Sequence, residues 1–178
     1  MKIGLQAGFT VIELMIVILI AAILMMVGVP SFTSFVINNR LTTEANSLVT
    51  TIQVARSEAV KRNSPVYILS TSGDGNWGQG FVLFKDNNNN QAYDSGSDTL
   101  IRRQDALQSD ALNASIGGTA APMLQFRPTG FAGNLGATSM TFDLCHSTKY
   151  KGRKITVNSV GQVTLLDSCT CDSSNQCN

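Results

Sequence analysis

Histidine is almost absent from this sequence, and its scarcity narrows the chemistry that the chain can perform. His146 is the only histidine among 178 residues. Most Ser/His and Cys/His nucleophilic schemes need an imidazole as the general base, and no other catalytic constellation is found. A glycine-rich phosphate loop of the P-loop type is also missing. The sequence therefore predicts that the protein is not an enzyme and that it uses no cofactor.

Net charge is likewise small. The chain carries 13 Lys and Arg against 12 Asp and Glu, and only 14% of its residues are charged, whereas 43% are hydrophobic. A nearly neutral chain does not capture nucleic acid through its overall field, although a local basic patch still can. Length and composition predict one globular domain with an N-terminal extension.

One long apolar run, from Phe9 to Val29, dominates the N-terminal part of the chain. As a helix it would be about 31 Å long, close to the ~30 Å thickness of a bilayer core. Only MKIGLQAG precedes it, whereas an ordinary secretory signal has a basic start, a shorter apolar core and a cleavage site beyond that core. Lys2 places this leader on the cytoplasmic side. We therefore predict a membrane-spanning helix with the remainder of the chain outside.

Glu13 is the one carboxylate inside the apolar run. An acid at the centre of a spanning helix costs about 2.5–3.5 kcal/mol on insertion scales. Glu13 lies only about 6 Å inside the helix start, where the cost is lower and the helix dipole favours negative charge. Two interpretations remain: a carboxylate that anchors the helix at the interface, or one that pairs with a cation from another such helix.

The order Gly8-Phe9-Thr10 and then Ile12-Glu13-Leu14 resembles the class III signal of type IV pilins and type II secretion pseudopilins. This resemblance implies that a prepilin peptidase cuts after Gly8 and N-methylates Phe9. It also implies that Glu13 pairs with the N-terminal amine of a neighbouring subunit inside a helical filament.

A second helical pattern follows Pro30, a residue that lacks a backbone N–H and so predicts a helix kink. Apolar residues then recur at spacings of 4, 3, 4, 3 and 4, which is a continuous stripe at helical period. We interpret the stripe as a face buried against the protein's own sheet, and Asn63-Ser64-Pro65 as the end of the helix. The stripe consists of Leu41, Ala45, Leu48, Ile52, Ala55 and Ala59.

The rest of the sequence alternates short apolar segments with turn residues, a pattern typical of antiparallel strands. The predicted fold class is α+β, with a long N-terminal hydrophobic and amphipathic helix packed on an antiparallel β-sheet head. The predicted strands are Val66–Ser70, Phe81–Lys85, Thr99–Arg103, Met123–Arg127, Ser139–Leu144, Lys154–Val157 and Gln162–Leu166.

Several segments of the head are similar to the GspH/FimT/FimU group: ARSEAVKRN, WGQGFVLFKDNNNNQAYDSGSDTLIR, FRPTGF and GRKITVNSVGQV. The resemblance implies a type IV pilin-like minor pilin, a scarce subunit of the initiating or tip complex that supports pilus biogenesis, twitching motility and adhesion. Its implied partners are other major and minor pilins, the prepilin peptidase and the inner-membrane assembly platform. The alternatives are a DNA-binding minor pilin for natural transformation and a pseudopilin of a type II secretion system.

The same resemblance implies an order of segments along the chain. The protein would sit in the inner membrane with its head in the periplasm, and then in the extracellular pilus. The expected segments are a leader (1–8), a transmembrane or filament-core helix (9–29), an amphipathic helix (30–63), a β-rich head (64–168) and a C-terminal tail (169–178).

The stretch DNNNNQAYDSGSD offers carboxylates and amide oxygens that superficially suit calcium. Its acids are Asp86, Asp94 and Asp98. The stretch lacks the alternating register and the closing Glu of an EF-hand, so we predict a solvated hairpin loop and no metal site.

The only dense basic stretch is HSTKYKGRK. In an extended chain Lys149, Lys151 and Arg153 share one face, with Lys154 beside them, and such a stripe can bind DNA phosphates. A solvated edge strand protected by lysines is the alternative. DNA-binding FimT proteins carry Gly-Arg-x-Arg near the C-terminus, whereas 161–164 reads GQVT, so the comparison counts against DNA.

All four cysteines lie in the last 34 residues, at Cys145, Cys169, Cys171 and Cys177. They lack the C-x-x-C pairs of zinc sites, so we predict two disulfides, as expected outside the cytoplasm. A Cys169–Cys171 bridge would close a very tight loop. Cys145 is therefore expected to pair with one of these two and Cys177 with the other, which would pin the tail to the last strands.

Overall fold

The computed structural model describes residues 8–107, 111–146 and 151–178. These fall into two compact units, one ending at Val36 and the other beginning at Ile37. Helix α1 (Val11–Arg62) is continuous where the sequence suggested two segments, and Pro30 lies inside it. The helix ends where expected, because Asn63 adopts φ 47° and the Ser64 N–H donates to the Ala59 carbonyl (3.2 Å).

The strands of the described residues form two antiparallel sheets, so the single sheet that the sequence suggested is divided in two. The first sheet has the order β3-β2-β1-β6 and the second β5-β4-β7-β8-β9. The strands are β1 (Val66–Ser70), β2 (Phe81–Lys85), β3 (Thr99–Gln104), β4 (Ala111–Ile116), β5 (Thr119–Ala120), β6 (Met123–Phe126), β7 (Met140–Cys145), β8 (Lys151–Val157) and β9 (Val163–Thr170).

The apolar stripe of α1 forms the centre of the head. All six of its predicted residues are at most 2% exposed, and they share one core cluster with residues of both sheets. Trp77 completes that core: it lies in a short 3-10 helix (Trp77–Gln79), and its Nε1 donates to the Ala121 carbonyl at 2.8 Å. The predicted α+β fold, with a helix packed on antiparallel strands, is confirmed.

Candidate functional site

The N-terminal half of α1 presents its apolar side chains to the surroundings. Large side chains along residues 9–36 are exposed, among them Phe9, Ile16, Leu24 and Phe32. The most apolar window of this helix has a mean hydropathy of 2.9, and none of it is buried within the protein. By length and composition, this helix can cross a membrane.

Glu13 lies in the first turn of that helix. The Thr10 hydroxyl accepts a hydrogen bond from the Glu13 N–H (3.3 Å), so Thr10 caps the helix just before Val11. The Glu13 side chain is exposed, and within the described residues it has no ion-pair partner. Thr-x-x-Glu before an apolar run is the sequence signal of such a cap, and Thr10 to Glu13 carries it.

Pro30 introduces a local change in the helix hydrogen bonding. Its ring nitrogen cannot donate, and two hydroxyls nearby bond back to carbonyls four residues earlier. Thr33 Oγ1 donates to the Val29 carbonyl at 3.0 Å, and Ser34 Oγ donates to the Pro30 carbonyl at 3.1 Å. The kink predicted at Pro30 stays a prediction.

The structure describes residues 151–154 of the basic stretch, and their cations do not form the exposed stripe that the alternation suggested. The Arg153 guanidinium turns to α1, where its Nη2 donates to Thr42 Oγ1 at 3.0 Å. Lys154 Nζ lies 3.8 Å from Asp143 Oδ1 on the neighbouring strand. Lys151 is exposed, and Lys149 lies outside the described residues. Two of the four candidate cations are thus engaged within the head itself.

Asp143 is a mostly buried carboxylate whose surroundings oppose its ionisation. Burial raises the pKa of Asp143 above its ordinary value, while the Lys154 ammonium and the Cys177 N–H partly lower it. Because burial outweighs the cation, the contribution of Asp143 to stability is fully present below the ordinary pKa of a carboxyl group. It is lost as the pH rises through the raised value.

The cysteines are joined in two disulfides, Cys145–Cys171 and Cys169–Cys177. The structure thereby selects one of the two pairings that the sequence left open. Cys169 still belongs to β9, which ends at Thr170, so the boundary drawn between head and tail at residue 169 falls inside a strand. Within the described residues, the sulfur atoms of Cys145, Cys171 and Cys177 form the only group of three or more potential metal ligands. Their disulfide bonds leave no thiolate to bind an ion.

Gly152 of β8 lies beneath both disulfides. A Cβ at this position would come within 2.5 Å of Cys171 Sγ, 2.8 Å of Cys177 Sγ and 2.8 Å of the Leu144 carbonyl oxygen. The cross-links and the β7–β8 ladder hold these atoms in place. A hydrogen atom is therefore the only side chain that this position accommodates without displacing its neighbours.

Replacing Gly152 with alanine is expected to destabilise the head by about 1–3 kcal/mol, because the added methyl group overpacks the cross-linked region. Chemical unfolding of the full chain in detergent micelles measures the loss. Gly96→Ala is the matched control, since nothing lies within 4 Å of a Cβ there. Equal stabilities for the two variants would contradict the packing argument.

The C-terminal loop, residues 171–178, is ordered by Asp172. Its carboxylate accepts hydrogen bonds from the Ser174 N–H (2.8 Å) and the Gln176 N–H (2.9 Å). These bonds, that of Gln176 foremost, hold the pKa of Asp172 below its ordinary value. The stabilisation is therefore present above the ordinary carboxyl pKa and is lost as the pH falls through the lowered one.

Acidification is accordingly expected to break the hydrogen bonds to Asp172, while the two disulfides keep the loop attached to the head. The amide resonances of Ser174 and Gln176 should shift as the pH falls below about 4, the ordinary range of an Asp carboxyl, with a midpoint below that range. NMR titration of the full chain in micelles measures the change. Asp172→Asn keeps an acceptor oxygen but cannot titrate, so the transition should disappear, and its persistence would assign it to another group.

The asparagine-rich loop satisfies its own carboxylates. Asp86 accepts from the Asn89 N–H (2.6 Å) and the Gln91 N–H (2.8 Å), and Asp98 accepts from the Asp94 N–H (2.8 Å). Side-chain hydrogen bonds from Asn88 and Asn90 lower the pKa of Asp94. The arrangement is that of a hydrogen-bonded hairpin loop, as the sequence predicted.

An exposed apolar helix of membrane-spanning length, continued by a helix that packs on an antiparallel head, defines the class of pilin-like subunits. Two family models match the chain: residues 44–161 match the type II transport protein GspH, and residues 4–29 match the prokaryotic N-terminal methylation motif. The chain belongs to the GspH family. The family resemblance of the sequence is confirmed.

A curated relative and one solved structure agree with this assignment. Pilin-like protein PilA1 of Thermus thermophilus is 36% identical over 96 residues, which cover 52% of this chain and 56% of PilA1. The chain thus spans about half the length of this relative. The type IV minor pilin FimU of Pseudomonas aeruginosa (strain PAO1) is 26% identical, with a TM-score of 0.57 over 74% of this chain and 92% of FimU.

The minor pseudopilin EpsH from the type 2 secretion system of Vibrio cholerae shares the fold at 12% identity. Its TM-score is 0.51, and the similarity covers 70% of this chain and 94% of EpsH. The protein is therefore a structural subunit of the pilin and pseudopilin type and not an enzyme. The family and the apolar helix indicate membrane anchoring.

Proposed function

We propose that the protein is a minor pilin of a type IV pilus. A prepilin peptidase cuts after Gly8 and methylates Phe9, and the mature chain leaves the inner membrane to enter the initiating or tip complex of the filament. The observation that carries the proposal is the exposed apolar helix with Glu13 in its first turn. The similarity to the type IV minor pilin FimU supports a pilus. The proposed roles of that pilus are twitching motility and adhesion.

The proposal gives the apolar helix two successive environments. In the membrane its side chains contact lipid, and in the filament they contact the helices of other major and minor pilins. The Glu13 carboxylate then meets the new N-terminal amine of a neighbouring subunit, and this ion pair sets the register between the two helices. The assembly platform in the inner membrane is the partner that moves the helix from one environment to the other.

The DNA-binding alternative has less support. Arg153 donates to α1 and Lys154 lies beside Asp143, so both cations already have partners within the head. The pseudopilin alternative shares the same helix and the same fold. A pseudopilin differs in the assembly that it enters, so sheared pili and protein secretion distinguish it from a minor pilin.

Processing at Gly8 is the test. In piliated cells, the wild-type protein is expected in sheared pili as a chain beginning with methylated Phe9, as mass spectrometry would establish. Gly8→Val should leave the uncut protein in the membrane fraction. Gly96→Val is the control, because a Cβ at this loop position meets nothing within 4 Å. Absence of the wild-type chain from sheared pili, with loss of protein secretion on gene deletion, would instead identify a pseudopilin.

A further inference from the structure

A groove on the head lies between the C-terminal part of α1 and the turn that leads into β9. Its volume is about 610 Å³. Arg56, Val60 and Lys61 line it from the helix, and Gly161 and Val163 line it from the turn and the first residue of β9. The groove therefore lies next to the first residue of β9.

That strand, β9, is the outer strand of its sheet. The Asn158 N–H donates to the Gln162 carbonyl (3.1 Å) and Thr156 is paired with Thr164. Hydrogen-bonded and non-hydrogen-bonded pairs alternate along an antiparallel ladder. The backbone N–H and C=O groups of Val163 and Leu165 therefore point away from β8. Within the described residues, no hydrogen bond to these outward groups is formed.

Farther along, the same edge already carries an added segment. The Thr170 N–H donates to the Asn178 carbonyl (3.0 Å), and the Asn178 N–H donates to the Thr170 carbonyl (2.9 Å). The chain's own C-terminal loop thus pairs with β9 in the manner of an extra strand. The open part of the edge, which begins at Val163, presents the same type of backbone groups.

The charged side chains that line the groove are both basic. Arg56 Nη1 donates to the Gly161 carbonyl (3.2 Å), a neutral acceptor, and no carboxylate of the described residues forms an ion pair with Arg56. The Lys61 side chain is 77% exposed and lies 3.8 Å from Glu58. A guanidinium without a charged partner favours a ligand that carries a carboxylate, because charge-assisted hydrogen bonds are the stronger ones.

We propose that this groove binds an extended segment of another polypeptide chain, which adds a strand to the Val163 end of β9 and places an acidic side chain against Arg56. Main-chain hydrogen bonds to the outward groups supply affinity, and the side-chain contacts supply selectivity. Val60, which is 52% exposed, offers the apolar contact. This interface uses none of the exposed apolar residues 9–36 and does not depend on filament assembly.

A library of short random peptides displayed on phage, selected against the full chain in lipid nanodiscs, tests the proposal. The enriched peptides are expected to alternate apolar and polar residues and to contain Asp or Glu. Arg56→Gln, which keeps an N–H for the Gly161 carbonyl, should weaken their binding about tenfold. Arg103→Gln is the matched control, since it removes the same charge from β3 and should leave binding unchanged.

The backbone contribution is tested at Val163. Val163→Pro removes the outward N–H at the first residue of the strand, where proline is tolerated, and should also weaken binding about tenfold. Val163→Ala keeps that N–H and should bind as the wild type does. If Val163→Pro fails to fold, NMR of the wild-type chain tests the same backbone contact: the amide resonances of Val163 and Leu165 should shift when the peptide is added. Selection that yields no peptides, or peptides that bind both the Arg56 and Val163 variants at wild-type strength, would overturn the proposal.

Discussion

Replacing Glu13 with alanine is expected to reduce incorporation of the protein into filaments at least about tenfold while cleavage after Gly8 continues. The carboxylate lies in the first turn of α1 and is exposed. Once the helix is packed among other subunits, a neighbour's amine would lose its partner, and breaking one side of a buried ion pair costs about 3–5 kcal/mol. Immunoblots of sheared pili and of membranes measure the distribution.

The conservative variant separates charge from shape. Glu13→Gln keeps the length and the polar atoms of the side chain but removes its charge, so it should be incorporated nearly as poorly as Glu13→Ala. Ile12→Ala, one residue earlier, is the control for a shortened side chain. Normal incorporation of Glu13→Gln would refute the ion-pair account. An uncut Glu13→Ala chain would show that the substitution acts on cleavage by the peptidase and not on assembly.

Hydrophobic periodicity was sufficient to locate most of the fold. The helical stripe from Leu41 to Ala59 is buried as expected, and the strands Val66–Ser70 and Phe81–Lys85 have the predicted bounds. The helix has a strong pattern because one face of it meets the core, whereas the two strands are short apolar runs that are buried on both faces. The N-terminal signal was equally informative, since its residue types and spacing are local properties of the chain.

Two strands, β4 and β5, were not predicted from the sequence. β4 reads ALNASI, and its alanine, asparagine and serine residues have little intrinsic preference for a strand. Its pairing with β7 and β5 stabilises the extended conformation despite this low propensity. The available signal was Gly117-Gly118, whose two positive φ angles (58° and 85°) make the tight turn between β4 and β5.

The role of Arg153 depended on tertiary structure. Alternation along an extended chain placed it in an exposed basic stripe, but that face of the sheet is covered by α1, and the Arg153 guanidinium reaches Thr42. A sequence pattern gives the face on which a side chain lies. It does not give the element that packs on that face.

The pairing of the cysteines also depended on strand order. Because β8 lies between β7 and β9, a bridge from Cys145 at the end of β7 to Cys171 beyond β9 must pass across the middle strand. Gly152 provides the space for this crossing, since a side chain there would collide with Cys171 Sγ. Without the order of the strands, neither the crossing nor the need for glycine could be predicted.

Removing the Cys145–Cys171 bridge is expected to destabilise the head more than removing the Cys169–Cys177 bridge. The two bridges join residues 26 and 8 positions apart in sequence, and the chain-entropy relation gives about 3.5 and about 2.5 kcal/mol for loops of these lengths. The longer bridge also connects β7 to the segment beyond β9, whereas the shorter one connects the end of β9 to the C-terminal loop that directly follows it. The double alanine variants of each pair leave no unpaired thiol, so chemical unfolding of the full chain in micelles compares them directly. Similar losses for both pairs would mean that local packing, and not loop closure, determines the contribution of these bridges.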